Sequence, residues 1–408
     1  MSDPVRPYRV LHTSDWHIGH ELFGHAREVE HDVFLEWLLD LLEREEVDLL
    51  LVTGDIYDVA NPPIVAMARL YRFLREATAR CPDLTIALIG GNHDSAARIN
   101  LPSELLGPGR VHLVGSLPRR DGRTDCERLL LPLLGRDGIT AAWLAAVPYC
   151  RPGDLGPAGL AGLYAEVVDA GVKLAGDLPL ILTGHLHVSG GDTSEQSERR
   201  ITVGGEEAEA ATLFDGRAAY VALGHLHRPQ LIPGDTPIRY AGSPFPLSAT
   251  ERMYRHSVTL VELAASGAVI REEPIPRPAP FLAIPTAGAL PLADVEAAIN
   301  ALELDADRPR GLQPFVEVSV LVAGPEPHLQ ARVLAALADR PVRLTRIVRV
   351  PVTTASGRGI DGREADLAEL RPESVFAEFY EREHGAVPPD DLMKAFLALA
   401  IEAQGDVP

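Results

Sequence analysis

The sequence predicts a layered α/β protein, followed by a small α+β unit and a C-terminal helical hairpin. Three observations predict it. Between Tyr8 and about Glu262, apolar strand-like runs alternate with helical patterns over short loops. The segment Arg271–Pro285 (REEPIPRPAPFLAIP) is proline-rich, and a second, smaller β/α pattern lies beyond it. Near the end, a small, polar, glycine-bearing stretch sets two amphipathic patterns apart from the rest. At 408 residues the chain exceeds one ordinary core, so two or three domains are expected.

The first strand is YRVLHTS, from Tyr8. Val33, Phe34, Trp37, Leu38, Leu41 and Leu42 then repeat at helical spacing. DLLLVT is the second strand, and a second helical face follows with Val65, Ala68 and Phe73 beside Met67, Tyr71 and Leu74. TIALIG, LPLILT and YVAL are further strands. Strand, helix, strand with short loops reads as a parallel-rich sheet, in which sites form at the C-terminal ends of strands. Beyond the proline-rich border, Leu292–Leu302 and Pro327–Leu337 read as helices, and Phe315–Val322 and Val342–Val350 as strands. The expected division is 1–275 for the layered domain, 276–352 for the small unit, 353–362 for a tether and 363–408 for the hairpin. In the hairpin Pro372 starts a helix with Val375, Phe376, Phe379 and Tyr380 as its stripe. Gly385, Pro388 and Pro389 break it, and Asp390 and Asp391 open a second helix carrying Leu392, Met393 and Phe396. So small a hairpin cannot bury its own stripe and needs the main body or a partner.

Bulk properties exclude several classes. The composition, 46% hydrophobic and 24% charged, is that of a globular protein with no apolar run long enough to span a bilayer. The start, MSDPVRPYRV, has no apolar h-region, so a cytoplasmic location is expected. Cys81, Cys126 and Cys150 form no C-x-x-C pair, which argues against a disulfide framework and a zinc ribbon. A net charge of −20 speaks against a polyanionic substrate, because nucleic-acid binders usually carry a basic footprint. Bound divalent cations would reverse the local sign. The acidity is also uneven: residues 353–408 hold 12 acidic and 5 basic side chains, whereas Arg340, Arg343, Arg346 and Arg349 fall in ten residues without an acid.

Five short motifs stand at expected strand ends. They are Asp15-x-His17, Gly54-Asp55, Gly91-Asn92-His93-Asp94, Gly184-His185 and Gly224-His225-x-His227. Each alone is ordinary turn chemistry. Together Asp15, His17, Asp55, Asn92, His185, His225 and His227 make a ligand set for two divalent metals sharing one carboxylate. Asp15 and His17, two apart on an extended strand end, should face one side. Asp55 is the natural bridge, having two oxygens to offer. Asn92 gives a neutral amide oxygen that limits negative charge. His93, beside Asn92, should point elsewhere and serve as general acid, with Asp94 orienting it. Asp58 either supports a ligand or caps the helix near Pro63. His187 is expected to be a bystander, His12 a core residue, and Gly242-Ser243-Pro244 a plain turn.

The runs LHTSDWHIG, VTGDIYD with NPP after it, GGNHDS, LTGHL, YVALGHLHRPQ and IRYAGSPFPLS resemble the calcineurin-like metallophosphoesterases, and among them the SbcD-type nuclease subunits. The motifs cover the first two-thirds of the chain; the rest matches by layout, as capping domain, tether and hairpin. The resemblance implies a Mn²⁺-dependent DNA exonuclease and endonuclease, with Mg²⁺ as the other candidate metal. It would act in DNA repair as a homodimer within a heterotetramer, its hairpin docked on an SbcC-type coiled-coil ABC ATPase, and without a membrane. It also implies one metal held by Asp15, His17, Asp55 and His227, and the other by Asp55, Asn92, His185 and His225, with His93 catalytic. Archaeal and eukaryotic members have a histidine where Asp58 stands, so a second catalytic histidine is not implied. Two other readings share parts of the pattern: a phosphodiesterase of small nucleotides, which would not need the docking tail, and a non-catalytic scaffold, which would not need the ligand set.

Overall fold

A computed structural model describes residues 6–103, 109–194, 208–264, 267–324 and 326–352, with Tyr380, Pro388, Pro389, Leu392, Met393 and Phe396 beyond. Contacts divide the chain into two units, Met1–Pro351 and Val352–Pro408. Apart from those six positions, the expected tether and helical hairpin lie outside the described residues.

The first unit opens with β1 (Tyr8–Thr13), α1 (Glu28–Arg44), β2 (Leu49–Thr53), α2 (Ile64–Arg80), β3 (Thr85–Ile89), the short α3 (Ala96–Asn100) and β4 (Val111–Val114). Then come β5 (Leu130–Leu134), β6 (Thr140–Ala145), α4 (Gly159–Ala175), β7 (Leu180–His185), β8 (Tyr220–Gly224), β9 (Gln230–Ile232), β10 (Ile238–Tyr240), β11 (Ser257–Ala264) and β12 (Gly267–Pro274). They build two six-stranded sheets, ordered β12-β11-β1-β2-β3-β4 and β9-β10-β8-β7-β6-β5. In the first, β1 to β4 run parallel, β11 is antiparallel to β1, and β12 is antiparallel to β11. In the second, β10, β8, β7 and β6 run parallel and the two edges antiparallel.

Alternation along each strand explains the stacking. Leu50 and Val52 face Phe34, Leu38 and Phe73 of α1 and α2, while Leu49 and Leu51 share a core with Leu144, Ile181 and Ala222 of the other sheet. Leu182 and Leu223 pack on Val167 and Val168 of α4. The layers are helix, sheet, sheet, helix. A strand buried on both faces must read as a continuous apolar run, and LLLVT does. The stacking puts the C-terminal ends of the parallel strands of both sheets on one edge.

Two expectations about helix faces need correction. On α2 the buried positions are Ala66, Leu70, Phe73, Leu74 and Ala77, whereas Val65 and Tyr71 are exposed. On α1 Leu35 and Leu39 are buried and Val33 is exposed. Where a helix lies close on its neighbours, alanines fill the contact, and larger residues one position away face outward.

The proline-rich segment is not all connection. Arg271–Pro274 ends β12, which pairs with β11 from Ser257 opposite Pro274 to Ala264 opposite Gly267. An edge strand tolerates proline at its end, where no ladder donor is needed. The small unit follows as β13 (Phe281–Ile284), β14 (Leu290–Pro291), α5 (Leu292–Asn300), β15 (Phe315–Val322), α6 (Leu329–Leu337) and β16 (Arg343–Pro351). All its strands pair in parallel on β15, and Val295, Ile299, Val333 and Leu337 cover Val316, Val318 and Val320. Three of the four clustered arginines are committed to internal partners, Arg340 and Arg346 within this unit and Arg343 both within it and across to α1. Arg340 donates to the carbonyls of Ile299, Asn300 and Leu302, Arg343 to Gln313 and Glu30, and Arg346 to Glu317.

His12 lies between the sheets, its Nδ1 2.9 Å from the Tyr220 hydroxyl and its Nε2 2.9 Å from Thr53 Oγ1. Burial, with Arg239 adding, pushes it down to about 3 from 6.5. The folded ring stays neutral while the unfolded one takes a proton below 6.5, so its contribution is present at neutral pH and is lost as pH falls from 6.5 toward 3. Between pH 8 and pH 5 this one residue should remove about 2 kcal/mol of unfolding free energy. Urea unfolding of wild type and His12→Gln at both pH values checks it: the variant's pH dependence should be shallower by that amount.

Candidate metal centre

The loops after β1 and β2 run side by side. Asp15 N–H donates to Gly54 O at 3.1 Å and His17 N–H to Asp55 O at 3.0 Å. Asp15, His17, Asp55 and His225 all have positive φ, at 51°, 44°, 47° and 102°. Non-glycine residues enter this region only when their surroundings enforce it, at on the order of 1–3 kcal/mol each. Asp15 and His17 therefore share a side because of two left-handed turns, and not because of the extended strand end that their spacing suggested. Neighbouring glycines permit the crowding. A Cβ on Gly224 would lie 2.0 Å from Thr53 O, and one on Gly91 2.2 Å from Asp55 Oδ1.

The strand ends bring the expected ligand candidates together. Ligand atoms of Asp15, His17 and His227 lie within 4.8 Å of one another, as do those of Asp15, Asp55 and His185. Asp55 Oδ2 is 3.5 Å from His17 Nε2 and 3.3 Å from His185 Nε2, between the two groups. Asn92 Oδ1 is 2.9 Å from His185 Nε2 and 3.2 Å from His225 Nδ1. The His225 N–H donates to Asp15 Oδ1 at 3.0 Å.

The surroundings fix the imidazole tautomers. His185 Nδ1 donates to Thr53 O at 2.8 Å, His227 Nδ1 to Glu251 Oε1 at 2.8 Å, and His17 Nδ1 lies 3.3 Å from Asp58 Oδ1. Each ring then presents an Nε2 lone pair. Both His17 ring nitrogens are buried with no hydrogen-bond partner among the described residues, Nδ1 beside the Asp58 carboxylate and Nε2 beside that of Asp55. The His185 Nε2 faces an amide oxygen and the same carboxylate. Acceptors facing acceptors repel unless a cation lies between them, and this donor set of carboxylate, amide oxygen and imidazole suits a divalent metal.

The electrostatics agree. Burial pushes Asp15 up, and the Asp55 charge adds to it, against the nearby imidazoles His185 and His227. Burial also opposes the Asp55 charge, but His185 and then His17 hold that carboxyl well below its usual range. Burial would lower His185, yet the Asp55 and Asp15 carboxylates raise it to about 9, so without a metal a proton takes the place at Nε2 that a cation would otherwise hold. Burial, then His185, lowers His225 to about 3, which leaves a neutral ring. The site is short of positive charge in the way two metal ions would correct.

His93 is half-buried, 4.8 Å between ring centroids from His17. Its Nδ1 lies 2.7 Å from the Asp58 carbonyl oxygen, and its N–H donates to Asp55 Oδ1 at 2.9 Å. The expectation that Asp94 orients this ring is corrected. The buried Asp94 carboxylate instead accepts the backbone N–H groups of Ile56, Tyr57 and Gly91 at 3.0, 2.9 and 2.9 Å. It ties the Asn92–His93 turn to the Asp55 loop. Asp58 supports His17, and α2 has no side-chain cap, so the capping alternative falls away. His187 borders a cavity beside His185. Ser243 bonds the Phe245 carbonyl at 3.1 Å within its turn.

Sequence reasoning missed Glu251. It accepts His227 Nδ1–H with one oxygen and the Leu247 N–H with the other, at 2.8 and 2.7 Å. It lies in a 3₁₀ turn with no period to reveal it.

A strand-end cluster of this kind, on two stacked mixed sheets, defines a metallophosphoesterase. A calcineurin-like phosphoesterase family model matches residues 8–229, and a Type 5 capsule protein repressor C-terminal domain model matches 277–384. The SbcD component of the nuclease SbcCD from Rhodobacter capsulatus is 42% identical over 383 residues, 90% of this chain and 93% of that protein. The protein of the same name from Bacillus subtilis is 30% identical over 96% of this chain and 97% of its own length. That of Escherichia coli K12 is 36% identical over 62% and 64%. The chain belongs to the SbcD family of calcineurin-like phosphoesterases.

Glu251→Gln keeps the shape but removes the charge that holds His227. It should weaken divalent-metal binding about 10- to 100-fold, the range typical of groups that orient a ligand. Titration calorimetry with Mn²⁺ measures it. An unchanged melting temperature in chelator should accompany the loss, which separates positioning from folding.

Proposed function

We propose that this chain is a two-metal DNA nuclease, acting as exonuclease and endonuclease in the repair complex of its family. The observation that carries the reading is Asp55 Oδ2, set between His17 and His185 at 3.5 and 3.3 Å. Asp15, His17, Asp55 and His227 would hold one ion, and Asp55, Asn92, His185 and His225 the other. Mn²⁺ suits this mix of imidazole and oxygen donors better than Mg²⁺, which prefers oxygen alone. When bound, two such ions supply a hydroxide at neutral pH and charge compensation for the phosphodiester. The P–O bond to the leaving sugar oxygen breaks as the water oxygen bonds to phosphorus. With Nδ1–H donating to Asp58 O, His93 in its imidazolium form gives the Nε2 proton to the departing alkoxide and is left neutral, while the proton lost by the attacking water passes to solvent.

The proposed partners are DNA, a second copy of this chain and an SbcC-type ATPase, in the cytoplasm. No described helix is long and apolar enough to cross a membrane. Ile64, Val65 and Tyr71 on α2, with Leu101 after α3, are 79, 57, 41 and 69% exposed, and so concentrated an apolar surface supports self-association. The hairpin at 363–408, with Phe376, Phe379, Leu392 and Phe396, is the proposed dock for the ATPase coiled coil.

Asp55→Ala should abolish Mn²⁺-dependent cleavage and lower metal content at both sites; two metals per chain in that variant would remove the bridge. His93→Ala should keep both metals and lose activity by roughly 10²–10⁴-fold. A substrate with an activated leaving group should partly restore the rate, and metal loss instead would make His93 a ligand.

Deleting residues 363–408 should leave hydrolysis of a simple phosphodiester near normal and abolish co-purification with the ATPase. Undiminished ATPase binding by the truncated chain would place the dock elsewhere.

A further inference from the structure

A cavity of about 310 Å³ opens beside the metal centre and shares the His185 ring with it. Its walls include Tyr149, Cys150, Leu155, Leu160, Tyr164 and Leu186. The Tyr149 ring stands edge-on to His185, with centroids 6.2 Å apart. Tyr149 N–H donates to Gly90 O at 2.8 Å, so this wall is pinned to the turn that carries Asn92 and His93. The floor is equally fixed, since the Tyr164 hydroxyl donates to Thr183 O at 2.8 Å.

The chemistry of the lining selects the occupant. Among the described residues no lysine or arginine lines the cavity, and its one acid is Glu209. Among the described lining residues a phosphate would meet no cation and one negative charge. A flat, neutral, largely apolar group with a few polar edges fits better. Such a group, linked to a phosphodiester lying at the metals, is a nucleobase. A base inside a duplex is stacked and paired and cannot enter a walled cavity; one from a single strand or frayed end can. Aromatic walls hold any base through its π-face, so the pocket would be tolerant of sequence. His187, which the metal centre does not use, also lies on this wall.

We propose that this cavity is a subsite for one unpaired nucleobase next to the scissile phosphate, with Tyr149 as its aromatic wall. The inference rests on the nuclease reading above and names the substrate feature that this site recognises. It makes strand separation at the cut part of binding.

The test uses the full chain with Mn²⁺ and single-stranded oligonucleotides, intact or with one tetrahydrofuran abasic residue scanned across the cut. Wild type should cut the phosphodiester flanking the abasic residue about tenfold less efficiently than the intact one, mainly through KM. In Leu160→Trp, which fills the cavity from α4, and in Tyr149→Ala, the intact-to-abasic ratio should fall to near one. The ratio within each enzyme is read, so a general loss of activity does not mimic the result. A wild-type ratio of one with normal cutting overturns the subsite alone, as does a tenfold ratio kept by both variants. Failure of wild type to cut any oligonucleotide, while still hydrolysing methyl p-nitrophenyl phosphate, overturns the nuclease reading and the subsite with it.

Discussion

The metal centre depends on how closely the two sheets approach at the carbonyl oxygen of Thr53. This atom ends β2. It accepts His185 Nδ1–H from the opposite sheet at 2.8 Å and the Ser14 hydroxyl from the neighbouring loop at 3.0 Å. A methyl group at Gly224 would stand 2.0 Å from it, so β8 passes as near as backbone can. The apolar layer between the sheets sets that distance, with Leu49 and Leu51 against Leu144, Ile181 and Ala222. A core of this kind is dense and resists compression. Its thickness therefore fixes how far ligands from one sheet stand from ligands of the other. The positive φ values of Asp15, Asp55 and His225 show where the backbone strain falls when the ends are brought so close.

Much of this was legible because it is local. Each motif follows a continuous apolar run, and such a run marks a strand buried on both faces. What stayed hidden is what depends on tertiary neighbours. Asp94 follows His93 directly, and adjacency suggested that it serves that ring. Three backbone N–H groups, two of them 37 and 38 residues away, claim its carboxylate instead. Glu251 reaches His227 across 24 residues from a short turn without pattern. The α2 face was misread because periodicity counts large apolar residues, while the tight contact is made by Ala66 and Ala77. Asp58 could have served either of two uses by spacing alone; only the 3.3 Å to His17 Nδ1 decides between them.

The charge of the chain poses a problem that the site resolves. At −20 the protein as a whole repels a nucleic acid. Most of the arginine cluster in the small unit is committed to carbonyls and acids of its own surroundings, so it offers little compensation. At the centre, two buried aspartates and the lone pairs of three imidazoles converge. Bound divalent ions give that convergence its sense, because they place positive charge at one point on an acidic body.

The small unit is seated on the same framework that holds the ligands. Arg343 of β16 donates to Glu30 Oε1 at 3.1 Å, and Glu30 accepts Arg27 Nη2 at 2.6 Å. Arg27 in turn donates to the Pro246 carbonyl, and the next residue, Leu247, gives its N–H to Glu251, the partner of His227. Phe245 and Phe315 line the Arg27 guanidinium at 4.2 and 5.3 Å. Burying three charges costs several kcal/mol per ion unless each is paired, and these are, although Arg343 Nη2 is buried without a hydrogen-bond partner among the described residues. Apolar residues could fill the same volume at lower cost, but they would not specify one orientation. The buried ions fix the angle at which the small unit meets α1 and the segment behind His227. One network therefore sets both the seat of that unit and the aim of the His227 ring, a ligand candidate.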